Sequence, residues 1–109
     1  MDEVVIVLTS LPDKEAAMRL ARELVTRRLA ACVNVLAECT SVYRWKGAVE
    51  NAAEVPLLIK TRSGRYPELE AAIRSLHPYE LPEIVAVPVQ RGFDDYLQWV
   101  AEETSIAIG

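Results

Sequence analysis

Thr40-Ser41-Val42-Tyr43-Arg44-Trp45-Lys46-Gly47-Ala48-Val49 is the stretch on which the fold turns. Lys46-Gly47 has the composition of a tight turn, because a short hairpin needs positive φ and glycine adopts it freely. Residues 40–45 before it alternate as a strand does, and an extended segment returns through Val49, Val55, Leu57 and Ile59 to Thr61. Traced back to Cys32, the two arms cover 32–45 and 49–61, roughly twice the usual strand length. Ala37-Glu38 is expected to bend the first arm, and Pro56 to mark a bulge or an edge in the second. A small domain cannot pair and cover so long a ribbon alone, and its tip exposes Tyr43, Trp45 and Val49. The ribbon edges are therefore expected to pair with another copy of the chain.

The segments on either side complete the order. Val4-Val5-Ile6-Val7-Leu8 is a continuous apolar run, as in a strand buried on both faces. Ser10-Leu11-Pro12-Asp13 carries capping residues and a proline suited to a helix start. Ala17, Leu20, Ala21, Leu24 and Val25 then recur at helical spacing to about Arg28. A second helix begins near Tyr66-Pro67, with Leu69, Ala72, Ile73 and Leu76 as its stripe, and ends at His77. A strand over 83–89 and a last helix bearing Phe93, Tyr96, Leu97 and Val100 follow Pro82 and Gly92. Strand, helix, strand, strand, helix, strand, helix is the α+β, ferredoxin-like split βαβ order with one helix added. The helices are expected on one face of a four-stranded antiparallel sheet.

At 109 residues the chain is read as one domain, 1–109, with one core. A net charge of −4 and the lack of a basic run argue against nucleic-acid binding. No apolar run approaches membrane-spanning length. Met1-Asp2-Glu3 has no positive charge ahead of Val4, so it does not read as a secretory leader. A soluble, cytoplasmic protein is expected. Cys32 and Cys39 lie about 23 Å apart if the chain between them is extended, which disfavours a disulfide between them. Cys32 reads as a core thiol, and Cys39, beside Glu38 and Thr40, as the reachable one.

His77-Pro78-Tyr79-Glu80-Leu81-Pro82-Glu83-Ile84 concentrates the chemistry of the chain, including its one histidine. Proline biases the residue before it out of the helical region, so His77 is expected at a helix C-terminus. There the helix dipole favours the protonated imidazole. Tyr79, Glu80 and Glu83 are near enough to share a site with it. No nucleophile motif, phosphate loop or two-histidine motif is present, and an enzyme is not expected.

The chain resembles the CutA family, the divalent-cation tolerance proteins. The resemblance rests on Arg28-Leu29-Ala30-Ala31-Cys32-Val33-Asn34, Ser41-Val42-Tyr43-Arg44-Trp45-Lys46-Gly47 and Leu58-Ile59-Lys60-Thr61. His77-Pro78-Tyr79-Glu80-Leu81-Pro82-Glu83-Ile84 and Tyr96-Leu97-Gln98-Trp99 complete it, in an order and spacing that span nearly the whole chain. It implies a ferredoxin-like homotrimer with hairpins paired between subunits, and a role in tolerance of copper and other divalent metals. It carries His77 over as a ligand for copper or zinc, and the remaining donors are expected from Glu80, Glu83 or a thiol such as Cys39 that folding or a neighbouring subunit brings near. Some members have a second histidine and a cysteine where this chain has Leu76 and Thr9, a departure that thins the donor set. The other reading of His77 is a helix-capping side chain with no ligand. The rival function is a trimeric ligand sensor of the PII type. In it Tyr43, Arg44, Trp45, Lys60 and Tyr79 line inter-subunit clefts for a small anion or metabolite. Packing between subunits is the alternative for the Tyr43–Trp45 patch.

Overall fold

A computed structural model describes residues 3–105. Met1 and Asp2, on which the leader reading bears, lie outside the described residues. The elements run β1 (Val4–Leu11), α1 (Lys14–Thr26), β2 (Cys32–Val35), β3 (Cys39–Trp45), β4 (Ala48–Arg62), α2 (Tyr66–Leu76), β5 (Val85–Pro88) and α3 (Asp94–Glu103). Every strand pairing is antiparallel, in the order β2-β4-β1-β5, with β3 also on β4. The architecture is the expected α+β split βαβ unit with a C-terminal helix. The sheet has five strands rather than four because the first ribbon arm is broken.

The break is a register change. Val35 faces Leu57 and Cys39 faces Glu54, so Leu36, Ala37 and Glu38 lie opposite only Val55 and Pro56. One extra residue in the partner arm makes a bulge there, and its twist separates β2 from β3. Pro56 itself stays in register with Ser10 of β1. The bulge expected at the proline is thus in the strand beside it. At the far end Lys46 and Gly47 take φ of 49° and 84°, the paired positive values of a two-residue turn.

Alternation along the strands divides the sheet into two faces. Val5, Val7, Leu11, Val55, Leu57 and Ile59 pack on one face against Ala17, Leu20 and Leu24 of α1 and Leu69, Ala72 and Ile73 of α2. Each such side chain contributes about 1.5–3 kcal/mol when fully buried, so this layer supplies most of the subunit's stability. α1 is started by Asp13, whose carboxylate accepts the Ala16 amide at 2.8 Å. α3 corrects the one-face expectation. Its Val100 packs with Val4 and Ala31 on the opposite face of the sheet, tied down by Arg28 donating to the carbonyls of Glu102 and Ser105.

α3 covers only one end of that second face. Toward the ribbon, Ile6, Leu8, Leu58, Val85 and Val87 share it by register, and Ile6, Leu8 and Leu58 are only partly buried. Val85 and Val87 stay about half exposed, at 48% and 51%.

Candidate functional site

The cleft is built where the ribbon leaves the sheet. α2 ends at Leu76, and His77 takes the extended backbone that the following proline favours, φ −81° and ψ 134°. Its amide still closes the helix on the Ile73 carbonyl, at 2.8 Å. The chain then runs through 78–83 beside the second face of the ribbon. A cavity of about 870 Å³ lies between them, lined by Ser10, Tyr43, Arg44, Trp45, Glu54, Tyr79, Glu80 and Glu83 among others.

His77 is buried, only 8% exposed. Its Nδ1 accepts from the Tyr79 amide at 3.1 Å, and its Nε2 lies 2.7 Å from the Ser10 carbonyl oxygen. An amide can only donate and a carbonyl can only accept, so the ring is the neutral Nε2–H tautomer. Burial pulls its pKa below the ordinary imidazole value, against the opposing pull of the Ser10 carbonyl and the Glu54 charge. The protonated imidazole expected from the helix dipole is thus overturned by desolvation. Neither nitrogen keeps a free lone pair for a metal.

Tyr79 stacks at a tilt on His77, ring centres 4.7 Å apart. Burial, followed by a hydrogen bond to Glu54 and the nearby charges, pushes its hydroxyl up to about 12. It therefore stays neutral at any physiological pH.

The sequence-derived residues fall into two groups. Tyr43, Arg44, Trp45, Tyr79, Glu80 and Glu83 all line the one cavity. Lys60 does not. It sits on the second face and donates to the Asn34 side chain, away from the cavity of the single subunit. Cys39 is exposed and lies opposite Glu54 on the ribbon, with its Sγ 3.9 Å from Ser41 Oγ. Cys32 is half-buried on the second face, beside the Tyr96 hydroxyl rather than in the core. Both thiols are free. Among the described residues no group of three or more His, Cys, Asp or Glu side chains could hold a metal ion. Within one subunit, then, His77, Glu80, Glu83 and Cys39 do not make a metal site.

Ser10 is the lining residue that sequence reasoning misses. Alternation along β1, with Ser10 opposite Pro56 in the β4 register, is the signal that places Ser10 on the cleft face.

The comparisons agree with this architecture. The profile of the family described as CutA1 divalent ion tolerance protein matches residues 5–103. The chain belongs to the CutA1 family. The divalent-cation tolerance protein CutA of Thermus thermophilus is 45% identical over 104 residues, 95% of this chain and 99% of its own. A solved structure of the Thermus thermophilus protein superposes with a TM-score of 0.92 at 44% identity, covering 94% of this chain and 99% of that one. The human protein CutA is 47% identical over 93 residues, 85% of this chain, which spans about half of the human protein's length. No helix among the described residues is long and apolar enough to cross a membrane.

Proposed function

We propose that this CutA1-family chain works as a homotrimer in the response to divalent metal ions, binding copper between subunits rather than within one. The observation that carries the reading is the apolar face formed by Ile6, Leu8, Leu58, Val85 and Val87, on which Val85 and Val87 are about half exposed. It is continuous with a ribbon whose β3 edge is unpaired among the described residues. Apolar side chains half exposed in a row favour burial against other copies, at about 25 cal/mol for each Å² removed from water. Metal binding at a boundary follows from the donor set. One subunit offers an exposed thiol at Cys39 and carboxylates at Glu80 and Glu83, so a full coordination shell needs donors from a second copy. Two free thiols suit the reducing cytoplasm. The role is one of binding, not catalysis, because the one imidazole is committed at both nitrogens to backbone groups.

Sedimentation combined with copper titration tests this reading. A trimer that takes up copper saturably, keeps doing so as His77→Asn and loses it as Cys39→Ser is the expected result. A monomer at micromolar concentration, or a trimer with no saturable uptake, overturns it.

A further inference from the structure

The cleft's charge is opposite to the one an anion sensor needs. Glu54, Glu80 and Glu83 line it against the single guanidinium of Arg44. Lys60, the other basic group that would have favoured an anion, is engaged with Asn34 elsewhere. Glu80 and Glu83 form no ion pair among the described residues, so their charge is available to a ligand.

Three aromatic rings, those of Tyr43, Trp45 and Tyr79, stand in the same cavity. Ring faces attract cations, most strongly that of tryptophan. One ammonium already uses this surface, because Lys46 Nζ lies 5.5 Å from the centre of the Trp45 ring at the ribbon tip. The wall is also held in place before any ligand arrives. His77 bonds the Tyr79 amide and the Ser10 carbonyl. A preorganised wall keeps the ordering cost of binding low. At about 870 Å³ the cavity lies within the range of small-molecule sites.

Inner-sphere metal binding is a poor match for this set, since three donors do not converge. A flexible organic cation places fewer demands. Its ammonium groups accept separated carboxylate partners, and its methylene chain lies on the aromatic rings. We propose that the cleft binds a linear aliphatic polyamine, with the ammonium groups on Glu54, Glu80 and Glu83 and the chain along Tyr43, Trp45 and Tyr79.

The test is calorimetric titration of the assembled protein with spermidine at low salt, with 1,8-octanediol, MgCl₂ and inorganic phosphate as comparison titrants. Expected are saturable spermidine binding that weakens with added salt, and no saturable heat from the diol. Glu80→Gln combined with Glu83→Gln should weaken binding at least tenfold. Arg44→Ala, which removes the guanidinium from the lining, should tighten it. These changes lie on exposed side chains, and light scattering on each variant confirms that assembly is unchanged. The proposal is overturned if spermidine gives no saturable heat, if the diol binds equally, or if MgCl₂ binds as tightly as spermidine. Phosphate binding that Arg44→Ala abolishes would overturn it in favour of an anion. Glu80 and Glu83 are also donors in the copper reading, so copper is titrated into the same double variant, while sedimentation reads the trimer and Cys39→Ser reads copper uptake independently of spermidine.

Discussion

The Tyr79 amide donates to His77 Nδ1 across 3.1 Å, and this one bond makes the segment 78–83 depend on a neutral imidazole. A proton arriving on Nδ1 would take the lone pair that the amide uses. The folded pKa lies below the ordinary value near 6.5 because burial disfavours the charged ring. The unfolded chain therefore binds this proton more readily than the native one. Stability from His77 is present in full above about pH 6.5 and is lost as the pH falls from there toward the lower folded pKa. Urea denaturation at pH 7.5 and 5.0, at fixed protein concentration, should show a loss for the native sequence that is smaller in His77→Gln. Carboxylates titrate in both proteins, so the difference between the two carries the test. Equal losses would mean that His77 is not excluding a proton.

Asp13 accepts the Ala16 amide at 2.8 Å and satisfies one of the unpaired donors at the start of α1. Asp13→Ala should lower stability by about 1 kcal/mol, and Asp13→Ser much less. Chemical denaturation measures both. If the serine variant falls as far as the alanine one, the bond is not what starts the helix.

Gly47 has φ of 84° with nothing within 4 Å of where a Cβ would stand. A substitution there meets no steric neighbour, so its cost is the backbone conformation alone. Gly47→Ala is expected to destabilise the ribbon by about 1 kcal/mol. Hydrogen exchange of the 40–53 amides should speed up while the exchange of β1 stays unchanged. Uniform acceleration through the sheet would show that the ribbon is not a separate unit.

These elements show which parts of the molecule are legible in the sequence. The turn at Lys46-Gly47, the end of α2 at His77 and the core stripes of α1 and α2 each follow from a local rule. Their chemistry lies within a few residues of the structure it decides. The bend at Ala37-Glu38 is legible too, while the bulge is also read onto Pro56, because the two positions are neighbours across the ladder and only one is a proline. The position of α3 on the second face escapes for a related reason. Its apolar stripe says that it packs, and only the register of β1, through Val4, says on which side. In the site, Tyr79, Glu80 and Glu83 group together because they are close in sequence. Tyr43 and Trp45 join them because the ribbon folds over. Lys60 is not brought to the cavity of the single subunit, because alternation gives its face and says nothing of how far along that face the cavity begins.

Ile59 and Val87 lie on opposite faces of the same sheet, and they should fail in different ways. Ile59 is fully buried under α1 and α2 with its backbone paired to Val7. Ile59→Ala leaves a cavity in the subunit core and should cost about 2–5 kcal/mol, with the same loss at every protein concentration once assembly is accounted for. Val87 pairs with Ile6 on the second face and is 51% exposed in one subunit. Val87→Asp should leave that subunit folded but place a charge where copies meet, so its loss of stability should grow as the protein is diluted. Sedimentation from micromolar down to nanomolar concentration, with circular dichroism on the same samples, separates the two. A Val87→Asp protein that assembles as the native one does would show that the contact between copies lies elsewhere.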